Sequence, residues 1–299
     1  MQESTHVSPY RNDGKLYGFV AIVTGTSQPV GQSIVLELAT HGAAAIFLCD
    51  QSVPDGFYDS LLATCAAQHP NTKLIPYPLA VANEEATVGL IDDVLNWGGR
   101  LDLWICCAGI LGPASIADTG PEQLTRCFET NSMAAFYALK YAPAAMGKLT
   151  GKGHYANAAP KDQPYGSIII VTSTASLYGG CWGPAYTMTC HAAVGLVRSG
   201  VAVLKGTGVR INAISTGQID VGVKLEGSGL RGMTGQFPPA SLQTGEMQRQ
   251  NIGLERTGLP EEVARAAGFL ASGFSSYVTG TNLVVDGGAS VMNPLMVPL

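Results

Sequence analysis

The fold is decided by residues 166–199, which read GSIIIVTSTASLYGGCWGPAYTMTCHAAVGLVRS. The run from Gly166 to Ser173 is rich in β-branched residues and carries no charge, which predicts a strand buried on both faces. After a glycine-rich turn, the spacing over residues 186–199 predicts a helix on which Tyr186 and Cys190 share one face, because residues four apart are neighbours. A hydroxyl at the end of a strand should therefore face a phenol on the next helix.

The same alternation of buried strand and helix continues on both sides of this segment. Strands are predicted near residues 19–23, 44–49, 73–78, 101–106, 209–214 and 277–285, and helices near 32–39, 58–68, 84–96, 123–145 and 260–271. This order is typical of an α/β protein with a doubly wound, mostly parallel sheet. We expect a single domain of about seven strands with helices on both faces.

The chain is divided around this domain by changes in composition. We place the domain at residues 18–292, after a loosely held N-terminal arm at 1–17 and before a C-terminal tail at 293–299. Residues 222–255 are rich in Gly, Gln and Met with interrupted periodicity, which predicts a lid over a substrate pocket. Residues 147–164 are polar and lack a period, so they are expected to form a surface loop.

Charge and composition exclude several classes of partner. A net charge of -5 in 299 residues gives no electrostatic footprint for nucleic acid or an anionic membrane. No uninterrupted apolar run is long enough to span a bilayer, and the start of the chain lacks the pattern of a secretory signal. Seven cysteines are scattered without the spacing of a metal site or a disulfide framework. We therefore expect a cytoplasmic protein without a metal site.

Ser173 precedes Tyr186 in a Ser-x-Ala-Ser…Tyr-x-x-x arrangement. This segment resembles the active site of the short-chain dehydrogenase/reductase family, although Cys190 stands where the family's Tyr-x-x-x-Lys motif has lysine. The resemblance spans about residues 17–290 and implies a Rossmann-like fold. It also implies that the serine holds the reacting oxygen, that the tyrosine moves its proton, and that Asn131 supports a water in the proton relay. Asn131 is a weak helix former within a predicted helix, which also favours a specific role.

The first strand leads into Thr24, Gly25 and Gly31, which match the family's Thr-Gly-x-x-x-Gly-x-Gly motif. In that motif, backbone amides at a helix N-terminus receive the pyrophosphate of a dinucleotide. Pro29 replaces the middle glycine and lacks an amide hydrogen. Both a working phosphate cradle, which includes Thr26, and a helix simply begun by a proline fit this pattern.

Other cofactor positions are partly retained. Asp50 closes the second strand, where a carboxylate binds an adenosine ribose and repels a 2′-phosphate, which favours NAD over NADP. The resemblance also implies contacts from Ala108, Gly109 and the backbone of Ile219. Six positions that the family uses for cofactor or catalysis carry a different residue here: Pro29, Ala80, Cys106, Cys190, Thr216 and Val221. Binding of NAD is therefore expected to be weak or absent.

The replacement of lysine by Cys190 bears directly on the chemistry. An ammonium near a phenol favours the phenolate, and a neutral thiol does not. The pKa of Tyr186 should then lie near its ordinary value of about 10, which makes the phenol a poor base but still a hydrogen-bond donor. His191 is adjacent in sequence and points away from the Tyr186 face.

These observations leave three hypotheses for function. The first is a divergent reductase that acts on a carbonyl or hydroxyl of a medium-sized hydrophobic molecule, with weakened NAD(H) hydride transfer. The second is a non-redox enzyme of specialised metabolism, such as a cyclase, isomerase or dehydratase, in which Ser173 and Tyr186 polarise a carbonyl. The third is a catalytically silent binding subunit. The resemblance further implies a homodimer or homotetramer that packs through helices near residues 121–147 and 183–205.

Overall fold

The apolar runs of the sequence form the seven strands of one parallel sheet. A computed structural model describes residues 10–51, 53–113, 115–151, 153–156, 158, 160–179, 182–222 and 249–292. The strands are β1 Val20–Thr24, β2 Ala45–Asp50, β3 Lys73–Pro78, β4 Leu103–Cys106, β5 Gly166–Ser173, β6 Val209–Thr216 and β7 Asn282–Val285. Their order across the sheet is β3-β2-β1-β4-β5-β6-β7, and every pair is parallel.

Helices cover both faces of this sheet. They are α1 Pro29–Thr40, α2 Asp59–Gln68, α3 Glu84–Gly98, α4 Pro121–Phe128, α5 Ala134–Met146, α6 Pro184–Val203 and α7 Pro260–Ala271. Apolar residues of α3, α5 and α6 join one buried cluster, and those of α1, α2 and α7 join the other. Two cores on opposite sides of one sheet confirm the predicted doubly wound α/β fold.

The predicted long helix at 123–145 is interrupted. Between α4 and α5 the chain forms a π-helical turn at Glu129–Met133. Such turns insert one extra residue into a helix and are frequent at functional sites. Here the turn carries Asn131, whose side chain bonds to the backbone of Ile110 after β4. This tertiary contact explains why helical periodicity alone did not reveal the interruption.

Among the described residues, the predicted arm and the predicted surface loop each contribute buried side chains. Tyr10 and Leu16, within the predicted arm, are 5% and 0% exposed. Lys161, within the predicted surface loop, is also buried, and Thr150 pairs with it in an antiparallel bridge. A polar sequence without a period gave no signal of this burial, because the buried charge is neutralised by a partner distant in sequence.

Most of the predicted lid and all of the predicted tail lie outside the described residues, since these leave out 223–248 and 293–299. The flank of the predicted lid that is described contacts the end of the sheet, where the Leu254 amide donates to the Gly287 carbonyl at 3.0 Å. In the part of the chain that the structure describes, no helix has both the length and the apolar character needed to cross a membrane.

Candidate active site

The carboxyl ends of the parallel strands meet at one edge of the sheet. The strand order reverses between β1 and β4, and in open α/β sheets ligands bind in the crevice at such a point. Thr24, Asp50 and Ser173 are the last residues of β1, β2 and β5. Three of the predicted segments therefore reach the same edge.

The turn after β1 is packed tightly against the turn after β4. Gly25 has a φ of 73°, and a Cβ added there would lie 2.6 Å from the Ala108 amide nitrogen. A Cβ on Gly31 would lie 2.3 Å from the Gly25 carbonyl oxygen. The Thr24 hydroxyl accepts hydrogen bonds from the amides of Cys107 at 3.1 Å and Ala108 at 3.2 Å. Only glycine satisfies both the left-handed backbone at Gly25 and the lack of space there.

The N-terminus of α1 lies immediately after this turn. Pro29 is in the first turn of the helix, and Gln28 makes no side-chain cap. The first-turn amides of a helix have no acceptor within the helix. Here Val30 and Gly31 provide such amide donors, whereas Pro29 has no amide hydrogen. A helix N-terminus with such amides attracts phosphate. The cradle that the sequence predicts thus has its glycines and its helix, with one donor fewer.

Asp50 is held in place by the same turn. Its Oδ2 atom accepts from the Ser27 amide at 2.8 Å, and its Oδ1 atom accepts from the Gln51 amide at 3.0 Å. The carboxylate therefore has a defined orientation at the end of β2. The Thr26 side chain is fully buried, and its Oγ1 lies 2.8 Å from the Tyr58 hydroxyl. Thr26 was predicted from the sequence and Tyr58 was not, because no local pattern marks a tyrosine that packs against a turn distant in sequence.

Ser173 lies where β5 passes into a 3-10 turn at Thr174–Ser176. Its Oγ atom accepts from the Ala175 amide at 3.1 Å, so the hydroxyl hydrogen can be donated elsewhere. The turn packs against α6, and Tyr186 is in the first turn of that helix, half-buried. The predicted serine and tyrosine thus lie on two elements in contact. His191 is exposed, and its Nδ1 pairs with the Thr187 carbonyl at 2.9 Å.

Asn131 joins three elements through its side chain. Its Oδ1 accepts from the Ile110 amide at 2.8 Å, and its Nδ2 donates to the Ile110 carbonyl at 2.9 Å and to the Thr189 hydroxyl at 3.0 Å. The amide group is therefore engaged with protein partners on both ends. Thr189 was not predicted from the sequence. A threonine within a helix could have drawn attention to it, because its hydroxyl often donates to a carbonyl of the preceding turn.

The cysteines at the site are buried. Cys190 is 2% exposed and Cys106 is 6% exposed. Burial raises the pKa of the Cys106 thiol to about 12, so little thiolate forms near neutral pH. Among the described residues there is also no cluster of three or more His, Cys, Asp or Glu side chains that could hold a metal ion.

The remaining predicted cofactor residues lie along the same edge. Ala108 is half-buried and Gly109 is exposed, directly after β4. Ile219 follows β6 and forms an isolated parallel bridge with Gly258. The hydroxyl of Thr216, where the family has proline, donates to the Thr172 carbonyl at 3.0 Å and so joins β6 to β5.

These features define an α/β protein with a seven-stranded parallel sheet, whose carboxyl edge holds the turn after β1, Asp50 and Ser173. The family model described as Enoyl-(Acyl carrier protein) reductase matches residues 25–290. "Short-chain dehydrogenase reductase 3a" from Arabidopsis thaliana is 31% identical over 290 residues, which cover 97% of this chain and 100% of that protein. "(+)-borneol dehydrogenase 2" from Salvia officinalis is 31% identical over 292 residues, covering 96% of this chain and 94% of that protein.

A solved structure has the same fold. A short-chain type dehydrogenase/reductase from Mycobacterium marinum superposes with a TM-score of 0.75 at 23% identity, covering 93% of this chain and 98% of that one. The chain therefore belongs to the short-chain dehydrogenase/reductase family of oxidoreductases. Members of this family typically bind NAD or NADP, act on small molecules and form oligomers.

Proposed function

We propose that this protein is an enzyme that interconverts a hydroxyl and a carbonyl group on a medium-sized hydrophobic molecule. One observation carries the proposal: Ser173 and Tyr186 lie on elements that pack against each other, at the sheet edge that also holds the Gly25 turn and Asp50. A bound nicotinamide would supply or accept the hydride. The chain's own residues supply the binding, the orientation and the proton.

The two hydroxyls have complementary tasks in this proposal. The Ser173 oxygen already accepts a hydrogen bond from the Ala175 amide, so its own hydrogen is available for the substrate oxygen. The Tyr186 phenol donates to the same oxygen and transfers the proton. Asn131 contributes indirectly, since its side chain holds Ile110 and the turn after β4 in place. Both Nδ2 hydrogens are engaged by Ile110 and Thr189, so a water that Asn131 supports would bind its backbone or donate to Oδ1, which can accept a second hydrogen bond.

The cofactor that fits this site is NAD, bound weakly. The Asp50 carboxylate, oriented by the Ser27 and Gln51 amides, would repel a 2′-phosphate and accept from a ribose. The engagement of the Ser27 amide and the missing amide hydrogen of Pro29 leave fewer donors for the pyrophosphate. The lysine that binds the nicotinamide ribose in the family is Cys190 here, which removes a further contact.

Exposed apolar side chains around the crevice support a hydrophobic substrate. They follow the ends of β4, β5 and β6 and comprise Leu111, Ile116, Leu177, Tyr178 and Val221. Apolar walls with a few fixed polar groups are typical of small-molecule sites. The name of the Salvia officinalis relative makes borneol, a hydrophobic alcohol, the first compound to assay.

The test combines cofactor binding with turnover. NADH and NADPH should both be titrated by fluorescence, and NADH should bind more tightly; in Asp50→Asn this preference should shrink. Oxidation of borneol and of a panel of hydrophobic secondary alcohols should then be followed with NAD⁺. Tyr186→Phe should lower turnover by about 10²–10⁴-fold, with Tyr277→Phe, the same change at a fully exposed tyrosine, as the matched control. Failure of both dinucleotides to bind below millimolar concentration would overturn the proposal.

A second candidate function is favoured by the uncharged residues at the site. Cys190 and Cys106 replace groups that the family uses around the nicotinamide, while the serine and tyrosine remain. Such a site could polarise a carbonyl without hydride transfer, as a cyclase, isomerase or dehydratase requires. In that case the wild type should convert its substrate without added dinucleotide, and Tyr186→Phe should abolish this activity. Unchanged turnover in that variant would exclude this alternative.

We also propose that the protein forms a homodimer or homotetramer through α4, α5 and α6. Met133, Phe136 and Met188 expose apolar side chains along this side, which a second copy would cover. Light scattering after size-exclusion chromatography should report at least a dimer, and Phe136→Glu should weaken it. A monomer at micromolar concentration would contradict this proposal.

A cytoplasmic location is proposed from the thiols. The structure describes six cysteines as thiols, five of them buried, as expected in a reducing compartment. Fractionation of cells that express the tagged protein would test this, and recovery in a secreted fraction would contradict it.

A further inference from the structure

Thr189 lies in α6 between Tyr186 and Cys190, and its side chain is fully buried. Its hydroxyl donates to the Tyr186 carbonyl at 2.9 Å and accepts from Asn131 Nδ2 at 3.0 Å. The hydroxyl therefore lies between the backbone of one predicted site residue and the side chain of another.

The direction of each hydrogen bond in this chain follows from the donors. The Ile110 amide can only donate, so the Asn131 atom that it contacts at 2.8 Å must be the oxygen. The Asn131 nitrogen then donates to the Ile110 carbonyl at 2.9 Å and to Thr189. Because the Thr189 oxygen accepts from Asn131, its one hydrogen is directed to the Tyr186 carbonyl. No alternative orientation satisfies all four contacts.

The π-helical turn holds Thr189 at a second point. Ser132, next to Asn131 in that turn, donates its hydroxyl hydrogen to the Thr189 carbonyl at 2.9 Å. Threonine hydroxyls that bond back to a carbonyl of the preceding turn change the direction of a helix locally. The bond from the Thr189 hydroxyl to the Tyr186 carbonyl thus acts on the first turn of α6, the turn that carries Tyr186.

We propose that Thr189 is a positioning residue that sets the Tyr186 phenol relative to the turn after β4. This inference rests on the function proposed above, in which Tyr186 moves the proton. The family's lysine side chain fixes the tyrosine and the cofactor together, and the Cys190 thiol is too short and too weak a donor to do so. The hydrogen bonds from Ile110 through Asn131 and Thr189 to the Tyr186 carbonyl fix the tyrosine through its backbone instead.

The test compares Thr189→Val, which keeps the shape and removes the hydroxyl, with Thr189→Ser, which keeps the hydroxyl. Thr189→Ala is the alternative if the valine variant does not fold. Ser199→Ala is the matched control, because Ser199 makes the same type of bond to the carbonyl three residues earlier in α6, at 3.1 Å to Leu196, but on the exposed surface. Thermal melting establishes that each variant is folded.

Two spectroscopic measurements report positioning without any turnover. The first is the ¹³Cζ resonance of Tyr186, assigned with Tyr186→Phe, and the second is the exchange rate of the Ile110 amide. Loss of the Thr189 hydroxyl should shift the resonance and speed Ile110 exchange about fivefold, the factor that one net hydrogen bond represents. Thr189→Ser and Ser199→Ala should match the wild type. Where turnover is measurable, kcat should fall about fivefold in Thr189→Val with the KM for NADH unchanged.

The outcomes separate this inference from the proposed function. Unaltered spectra and exchange in Thr189→Val and Thr189→Ala would overturn it, and so would a serine variant that behaves like the valine variant, since the methyl group would then be responsible. Absence of dinucleotide binding and of turnover in the wild type would instead refute the proposed function, while the spectroscopic result would still decide whether Thr189 positions Tyr186.

Discussion

Cys190 shows how a single residue changes the chemistry available at a retained site. Its side chain is 2% exposed, and a thiol offers neither the charge nor the donors of an ammonium group. Ser173 retains its hydroxyl at the end of β5, and Tyr186 retains its phenol in the first turn of α6. The Ser173 hydroxyl and the Tyr186 phenol can therefore still donate hydrogen bonds to an oxygen, whereas position 190 carries a thiol in place of an ammonium group.

Cys190→Lys should accordingly increase alcohol oxidation if the protein is a weakened dehydrogenase. A nearby cation lowers the pKa of an acidic group by about 1–3, so the rate with NAD⁺ at pH 8 should rise at least about tenfold. Cys190→Met is the matched control, since it also lengthens the side chain in a buried position without adding charge. A folded lysine variant that shows no gain, or that loses a different activity, would favour the non-redox alternative.

At the scale of elements, the turn between β1 and α1 is constrained by the absence of side chains. Gly31 lies where a Cβ would approach the Gly25 carbonyl oxygen to 2.3 Å. Because that carbonyl belongs to the turn that packs on Ala108, it cannot move away from a Cβ at position 31 unless the start of α1 also moves. The phosphate cradle and the packing of two strand ends therefore depend on the same glycines.

Gly31→Ala should lower the free energy of unfolding by about 3 kcal/mol, the upper range for forcing a methyl group into a packed site, and should abolish NADH binding. Gly89→Ala in α3 is the control, because a Cβ there meets no described heavy atom within 4 Å. It should raise the free energy of unfolding by about 0.5–1 kcal/mol and leave NADH binding unchanged. Urea denaturation and NADH fluorescence provide both measurements. Equal stability of the two variants would show that the turn can open.

Across the whole molecule, the edge of the sheet opposite the active site holds a buried charge cluster. Asp102 accepts from Arg100 Nε at 2.8 Å, and Lys161 Nζ lies 3.0 Å from its other oxygen. Lys161 also donates to the carbonyls of Leu101 at 2.7 Å and Tyr165 at 2.8 Å. Two cations thus share one carboxylate, which ties the segment before β5 to the start of β4.

Asp102→Asn should be far more damaging than Lys161→Met. The first leaves two buried cations without an anion and should cost about 3–5 kcal/mol, whereas the second keeps the Arg100–Asp102 pair and leaves no uncompensated charge. Glu262→Gln, which removes an exposed ion pair with Arg256, should change stability little. Urea denaturation of the three variants measures the difference. Similar losses in the two buried variants would contradict this assignment.

The same cluster predicts a pH dependence. Burial holds the pKa of Lys161 below its ordinary value, so the unfolded chain binds this proton more tightly than the folded protein. Stability should then rise as pH increases from the folded pKa towards about 10.5, where the unfolded lysine titrates. The difference between wild type and Lys161→Met, measured across that range, isolates this contribution. A difference that stays constant with pH would show that the lysine pKa is the same in both states.

The sequence by itself determined the α/β class and the sites to examine. Strands β1 and β5 are mostly apolar runs whose burial depends on their own composition, so local periodicity was sufficient to predict them. Ser173 and Tyr186 were identified because the segment that contains them resembles the family's Ser…Tyr-x-x-x motif. Their roles remain predictions, as do those of Asp50 and the glycines.

Only the tertiary structure revealed the π-helical turn at Glu129–Met133, the Asn131–Thr189 contact and the burial of Lys161. Each depends on partners far apart in the chain: Asn131 on Ile110 and Thr189, and Lys161 on Asp102. A hydrogen bond or ion pair in the interior is favourable only when folding has removed water from both partners and brought them within contact distance. Local sequence encodes burial and periodicity, whereas the pairing of distant polar groups is decided by the packed fold.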